Sequence, residues 1–268
     1  MTNKENMTNI FTSKLNNEIG NNDILFVKAM KNKNAYICRF MIKQNRDIVK
    51  EIHERMPIIC LALDCLSEEI AMNLAEVMEN DELKTINYDN GDNLLMRACQ
   101  IKMYRLIRYL LLCGLEPTSK DSEGKSVLEW MIIHGNNQMI ELLIDHYNID
   151  INQKNSKNEP MIFMSMEKNN AFLSELMLRS GVDIDVRDND GMYLLEKTIQ
   201  KGWYLHTSYL IKNGSKCIYN DYNLFRRLCH IAVEKNSSIT FYRLLINYSA
   251  YKIQHAWRYF KCFRKLQL

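Results

Sequence analysis

One short motif has the residue types of a phosphate-binding loop. Gly124, Lys125 and Ser126 form the Gly-Lys-Ser sequence that ends a P-loop, in which backbone N–H groups and a lysine hold phosphates. A complete P-loop also needs a glycine at position 119, which is Ser119 here. It should follow a strand, whereas an apolar helical stretch ending at Gly114 precedes this motif. We therefore do not expect phosphate binding.

The histidines, cysteines and hydroxyl side chains form no recognisable catalytic or metal-binding pattern. The 6 histidines include no H-E-x-x-H pair, and the 8 cysteines include no C-x-x-C pair. No serine or cysteine stands in a recognisable nucleophile setting. The sequence therefore predicts no catalytic residue, no metal site and no cofactor, and hence a non-enzymatic protein.

The cysteines and the N-terminal residues indicate in which cellular compartment the protein is expected. Most cysteines lie inside apolar runs, where a free thiol packs as a small hydrophobic group. Residues 1–21 are rich in Asn, Thr and Lys and lack the apolar core of a secretory signal, so we expect a flexible lead-in there. These features predict reduced thiols in the cytoplasm or nucleus. No run of about 18 apolar residues occurs, so no transmembrane segment is expected.

Composition sets the class of protein. The chain is 47% hydrophobic and 25% charged, as in a folded soluble protein. Only 9 glycines and 3 prolines occur, which favours helices over strands and turns. The formal net charge of +3 gives no field that would attract nucleic acid, and none is expected as a partner. Abundant Asn, Ile and Lys fit an AT-rich genome, such as that of a large DNA virus or a protist.

The glycines mark an internal repeat. Gly91 and Gly124 lie 33 residues apart, Gly124 and Gly191 lie 67 apart, and Asn158 takes the place between them. Two further series with this period are Gly114, Asn148, Gly181 and Gly214, and Gly135, Asn169 and Gly202. Because Gly and Asn tolerate the positive φ of tight turns and helix C-caps, these marks divide the chain into equivalent units.

Each unit contains two short amphipathic stretches. The apolar residues of one unit are Leu94, Leu95 and Ala98, then Leu106, Ile107, Leu110 and Leu111. Their spacing is that of helices with one buried face. The sequence therefore predicts an all-α fold of helix-turn-helix units joined by β-turn loops.

These units resemble the ankyrin family, whose repeat of about 33 residues is a β-turn and two helices. Leu176 to Ile184 is similar to the family's L-L-x-x-G-A-D-V, and Leu228 to Ala232 to its L-H-x-A signature, in which His230 would be the structural histidine. A small-residue position recurs in phase at Ala29, Ala62, Ala98, Met131, Ser165, Thr198 and Ala232. The resemblance covers residues 22–250, about seven units, and implies an ankyrin-repeat solenoid.

Two other architectures share part of this pattern. An irregular helical bundle would have to reproduce three glycine phases by chance. A HEAT or tetratricopeptide array would have a period of about 40 or 34 and would not require the Asp/Asn-Gly turn between helix pairs. The spacing from Ala62 to Ala98 exceeds the period by three residues and predicts a loop insertion near Asn80 to Glu82.

The resemblance also implies a binding surface. In ankyrin arrays the turn tips and first helices form a concave face, where partner proteins generally bind. We expect exposed polar residues at the tips to contact the partner, namely Tyr88, Asp89, Asn90, Lys120, Asp121, Lys154, Asn155, Arg187, Asp188 and Asn189. The predicted function is a scaffold or adaptor for a protein of unknown identity.

Residues 251–268 have the pattern of a basic amphipathic helix. The segment resembles an IQ motif, although Tyr259 replaces the motif's glycine and the second basic residue comes one position late. The IQ-like residues are Ile253, Gln254, Trp257, Arg258, Phe260 and Arg264. The alternative function is therefore binding of calmodulin or another EF-hand protein. The helix could equally cap the apolar end of the last repeat, and a lipid-binding role lacks a second anchor.

Overall fold

The computed structural model describes residues 22–46, 48, 52–53, 56–168, 170–215, 222–234, 240, 244 and 249–252. The chain divides into two compact units, Met1–Glu123 and Gly124–Leu268. The predicted all-α class is confirmed. One short antiparallel pair of strands is added, in which Ile52 pairs with Pro57 and His53 with Met56. The predicted lead-in, residues 1–21, lies outside the described residues.

In the first unit, helices pair in sequence and the pairs stack. The helices and strands are α1 (Asn22–Lys31), α2 (Ala35–Gln44), β1 (Ile52–His53), β2 (Met56–Pro57), α3 (Ile58–Asp64), α4 (Glu68–Ala75), α5 (Asn80–Thr85), α6 (Leu94–Gln100) and α7 (Tyr104–Leu112). α1 packs on α2, α3 on α4 and α6 on α7, while α3 also contacts α6, and α4 contacts both α2 and α7. First helices thus form one layer and second helices another.

The second unit repeats this arrangement. Its helices are α8 (Val127–His134), α9 (Asn137–Tyr147), α10 (Met161–Glu167), α11 (Ala171–Arg179), α12 (Leu194–Lys201), α13 (Tyr204–Lys212) and α14 (Tyr222–Glu234). α8 pairs with α9, α10 with α11 and α12 with α13; α9, α11 and α13 are successive neighbours. Isolated β-bridges close the hairpins before α10 and α12, between Lys154 and Pro160 and between Arg187 and Tyr193.

The core lies between the two helices of each pair. The predicted small-residue position is buried in all seven places, at Ala29, Ala62, Ala98, Met131, Ser165, Thr198 and Ala232. Ser165 and Thr198 are compatible with burial because each hydroxyl donates to a carbonyl within its own helix, to Ile162 at 2.7 Å and to Leu195 at 2.9 Å. The described cysteines are largely buried, and burial raises the pKa of the Cys60 thiol to about 11.

Positive backbone φ occurs where the glycine series predicts it. Gly135 and Gly202 end α8 and α12 in the left-handed conformation, at φ values of 69° and 71°. Asn148 and Asn158, which stand in vacant glycine places, also have positive φ. After α3, the position equivalent to Gly135 and Gly202 is occupied by Leu66. Its φ is 54°, although a branched side chain disfavours that conformation.

The three extra residues before Ala98 do not form a loop, and that prediction was wrong. They belong to the short helix α5, whose start is fixed by a capping box. The backbone N–H of Glu79 donates to the Glu82 carboxylate at 3.2 Å, and the Glu79 side chain accepts in return. Leu83 is fully buried and anchors the turn. Within the described part of the chain, no helix is long and apolar enough to span a bilayer.

The conformation of Leu66 generates a stability prediction. Its side chain is 58% exposed, so substitution removes little packing. We expect Leu66→Gly to raise the free energy of unfolding by about 0.5–1 kcal/mol, because glycine adopts positive φ without a Cβ clash. Urea unfolding would measure the change. Leu66→Ala is the control, since alanine retains the clash; an equal gain in both variants would contradict the explanation.

Candidate functional site

Each hairpin tip is closed by one short polar side chain. The Asn155 amide oxygen accepts the backbone N–H groups of Lys157 and Glu159, both at 2.9 Å. Asp121 and Asp188 close their turns in the same way. Asp121 and Asn155 are only 6% and 5% exposed. The prediction that they are exposed was therefore wrong, and so was that for Asp188, whose side chain is 4% exposed. In these three turns the side chain that closes the turn points inward.

The tip of the first unit that contains Tyr88 is built differently. The half-buried Tyr88 hydroxyl donates to the backbone carbonyl of Cys60 at 3.2 Å, so it links neighbouring repeats. Asn90 closes the turn instead, because its side-chain oxygen accepts the N–H of Asp92 at 3.0 Å. Sequence reasoning took Tyr88 as an exposed contact residue, but the hydroxyl is used within the unit.

Asp92 joins this tip to the next one in the same unit. One carboxylate oxygen accepts the backbone N–H of Ser122 at 2.6 Å, and the other accepts the side-chain amides of Asn90 and Gln100, both at 2.8 Å. Asp92 is 1% exposed. Burial alone would raise the pKa of Asp92, but hydrogen bonds from Gln100, Ser122 and Asn90 outweigh it, so the pKa is lowered.

Glu129 performs the corresponding link in the second unit. It is 2% exposed and accepts from Ser156 twice, from the backbone N–H at 2.8 Å and from the hydroxyl at 2.6 Å. Glu196 is also buried and pairs with Arg227 at 2.8 Å. Because both carboxylates are bonded within the unit, they stabilise the packing of neighbouring repeats.

Lys197 connects three elements of the second unit. Its Nζ lies 3.3 Å from Glu159, 3.2 Å from Glu167 and 3.4 Å from Asp188. The same ammonium lies 4.9 Å from the centre of the Phe163 ring. Burial acts to lower the pKa of Lys197, but the carboxylates of Glu159 and Glu167 raise it more, so the net pKa is raised.

The remaining predicted residues are exposed. In the first unit these are Asp89, Asn90 and Lys120, and in the second they are Lys154, Arg187 and Asn189. Asn90 and Asn189 use their amides to bond the neighbouring tip, at the Ser122 hydroxyl (3.3 Å) and the Lys157 carbonyl (2.9 Å).

Arg187 is exposed but held in place. Its guanidinium lies 4.2 Å from the centre of the Tyr193 ring and donates to the Tyr193 hydroxyl at 2.8 Å. Lys154 and Lys157 form no ion pair with any other described residue. The cations at these two tips are therefore available to a ligand.

Sequence reasoning missed a second part of the site, which is the face of the first helices next to the hairpin tips. Trp130 and Met164 are half-buried on α8 and α10, and the Lys125 ammonium lies 4.7 Å from the centre of the Trp130 indole. Trp130, Met164 and Lys197 recur at the repeat period, so the spacing could have found them. We call Trp130, Lys154, Lys157, Met164 and Arg187 the tip surface. It offers cations and apolar faces, which suit recognition of a macromolecule.

His230 is not the structural histidine that the signature implied. Its side chain is 74% exposed and lies 3.4 Å from Glu234 of the same helix. Leu228 and Ala232 are buried, and the residue between two such positions of a helix faces outward. The IQ-like residues from Ile253 to Arg264 lie outside the described residues, and that interpretation stays a prediction.

Comparison with known proteins agrees with this geometry. A family model described as ankyrin repeats (3 copies) matches residues 59–155 and 95–188. Residues 59–188 therefore contain ankyrin repeats, as the sequence predicted. A search of curated proteins found no match.

Solved structures share the fold at low sequence identity. The ankyrin repeat domain of Bcl-3, a member of the IkappaB family, is 15% identical with a TM-score of 0.57, over 72% of this chain and 87% of that one. An ankyrin repeat domain from Acinetobacter baumannii is 17% identical with a TM-score of 0.57, over 70% and 97%. A chain in the structure of the Bdellovibrio bacteriovorus endopeptidase Bd0816 with immunity protein Bd3460 is 15% identical with a TM-score of 0.54, over 70% and 96%.

The environment of Asp92 predicts how stability depends on pH. Because its pKa is lower in the folded chain, its ionised form contributes stability that is present above the unfolded pKa of about 3.9 and is lost as pH falls. We expect Asp92→Asn to lower the free energy of unfolding by about 1–3 kcal/mol at pH 7, since buried donors lose an acceptor. This difference should shrink between pH 5 and pH 3.

Urea unfolding of the wild type and of Asp92→Asn at pH 7, 5 and 3 would measure this difference in the free energy of unfolding. Asp89→Asn, at an exposed position of the same tip, is the matched control and should change little at any pH. A loss in Asp92→Asn that is the same at all three pH values would contradict the role of the charge.

Proposed function

We propose that this chain is a non-enzymatic scaffold that binds a partner protein through its hairpin tips and first helices, the concave face of ankyrin arrays. Ankyrin repeats are generally modules of protein–protein interaction, and the fold is typically a non-enzymatic scaffold. The buried carboxylates of Asp92, Glu129 and Asp188 at the tips are bonded to backbone N–H groups or to lysine.

One observation supports the proposal most directly. Lys154 and Arg187 occupy equivalent places in successive hairpins of the second unit, and both are exposed. Two acidic groups of the same hairpins, Glu159 and Asp188, already pair with Lys197, so they do not neutralise these cations. The tip surface is therefore positively charged, although the net charge of the chain is only +3.

The half-buried side chains beside these cations define the rest of the ligand. Trp130 and Met164 present apolar surface, and aromatic residues are enriched among the residues that dominate interface energy. We infer that the partner presents an acidic segment with at least one large apolar side chain. The cations would steer its approach and the indole would hold it.

Charge reversal at the tips tests this proposal. The partner would first be identified by affinity purification from the native host cell, and its affinity then measured by titration calorimetry. Lys154→Glu with Arg187→Glu should weaken binding about tenfold or more, because two attractions become repulsions. The effect should shrink at high salt, which screens exposed charges.

The matched control is Arg179→Glu with Lys212→Glu, which reverses the same two charges at exposed positions of the second helices. The proposal requires that this control bind normally. Equal loss in both double variants would point to net charge alone, and unchanged binding in both would remove the tips from the interface.

A second candidate function rests on the sequence of the tail. Ile253, Gln254 and Arg258 match an IQ motif in register. If the tail binds calmodulin, a chain ending at Ala250 should keep its helical circular dichroism and lose calmodulin binding. The full chain with Ile253→Ala and Gln254→Ala should lose it too. Unfolding of the truncated chain with binding retained in the point variant would favour the cap instead.

A further inference from the structure

The second unit exposes large apolar side chains away from its hairpin tips. Phe172 is 46% exposed, Tyr204 51% and Leu205 63%. All three lie in the first turn of a second helix, just after the short turn that joins the helices of a pair. The eight residues of α12 separate that turn from the preceding hairpin by about 12 Å. This surface is therefore distinct from the tip surface.

The exposed side chains recur at the repeat period. Phe172 and Leu205 lie 33 residues apart, at the same place in successive units. Lys168 and Lys201, at the ends of the preceding first helices, are also 33 residues apart and exposed. Neither lysine forms an ion pair with any described residue. We call Lys168, Phe172, Lys201, Tyr204 and Leu205 the junction surface.

Packing of the repeats does not account for these apolar groups. The core faces of α11 and α13 are supplied by other residues, namely Leu173, Leu176 and Met177, and Leu210 and Ile211. Phe172 and Leu205 point away from these cores, and clustered exposed apolar side chains rimmed by polar groups mark interaction sites. A ligand that covers them would remove apolar area from water.

The spacing of the surface defines the shape of its ligand. Helices α11 and α13 pack side by side, and packed helices lie about 8–10 Å apart. Equivalent residues on them are separated by a similar distance. Along an α-helix, seven residues rise about 10.5 Å. A partner helix crossing α11 and α13 would thus place side chains i and i+7 over Phe172 and Leu205.

We propose that the junction surface binds an amphipathic α-helix of a partner protein, with apolar residues at i and i+7 and acidic residues beside them. The acidic residues would meet Lys168 and Lys201, whose charges recur with the same spacing as the apolar groups. A lipid surface is the poorer match. Two lysines supply only about 1 kcal/mol each toward an anionic membrane, and a single weak signal gives no stable anchoring.

The test uses the full chain and a defined probe. The probe is a fluorescein-labelled 18-residue peptide with leucine at i, i+3, i+7 and i+10, flanked by glutamate, and binding is followed by fluorescence anisotropy. Phe172→Ser with Leu205→Ser should weaken binding at least tenfold, since both buried contacts are lost. Lys168→Glu with Lys201→Glu should weaken it several-fold at 0.15 M salt and reduce its salt dependence.

Three controls make the result specific. Leu112→Ser removes a leucine that is 79% exposed elsewhere and should leave the affinity unchanged. A peptide of the same composition without the seven-residue spacing, and one with lysine in place of glutamate, should bind at least tenfold more weakly. Amide hydrogen exchange should slow at the starts of α11 and α13 only when the first peptide is bound.

Several outcomes would overturn the proposal. These are equal affinity for the wild type and the Phe172/Leu205 variant, equal binding of the peptide without the spacing, or binding to phosphatidylserine vesicles without binding to the peptide. Circular dichroism would establish that each variant is folded. If the serine variant unfolds, Phe172→Gln with Leu205→Gln keeps more side-chain volume and tests the same contacts. Because the tip surface is untouched, these results are independent of the function proposed above.

Discussion

Hydrogen bonds from backbone N–H groups to buried side-chain oxygens hold the hairpins of this chain in place. Asp92 in the first unit and Glu129 in the second each accept the N–H of a neighbouring tip, while Asn155 closes its own. A buried carboxylate is costly unless its oxygens are bonded, so these bonds are obligatory. Because the Asp92 and Glu129 links each join one repeat to the next, order along each unit is shared between adjacent repeats.

Much of the fold could be predicted because it depends on local chemistry. Gly135 and Gly202 mark positive φ, and any residue with a Cβ is disfavoured there. Ala98 and its equivalents mark a helix position that is buried at all seven predicted places. These constraints act within a few residues and recur at the repeat period, so they are visible as spacing. The first turn of α5 departs from the period, and its capping box gives a helix where spacing alone suggested a loop.

The site was harder to predict because its contacts join residues about 30 positions apart. A turn-forming Asn or Asp has the same local pattern whether it is exposed or buried, so Asn155 could not be distinguished from Asn189. His230 shows the same limit. The signature fixed its position along the chain, but the direction of its side chain depends on which face of α14 is buried. The exposed Phe172 and Leu205 resemble core residues in sequence, since both occur in apolar helices.

The internal use of carboxylates determines which charges a partner would meet. Inside the second unit, Glu129 accepts the N–H of Ser156, and both Glu159 and Asp188 pair with Lys197. Four other lysines remain at the surface, namely Lys154, Lys157, Lys168 and Lys201. A nearly neutral chain can therefore present basic faces, because more negative than positive side chains among these are bonded inside the unit. The tip surface combines such cations with an indole, and the junction surface combines them with Phe172 and Leu205. Because the two surfaces carry different apolar side chains on the same repeated helix pairs, one chain could bind two different ligands.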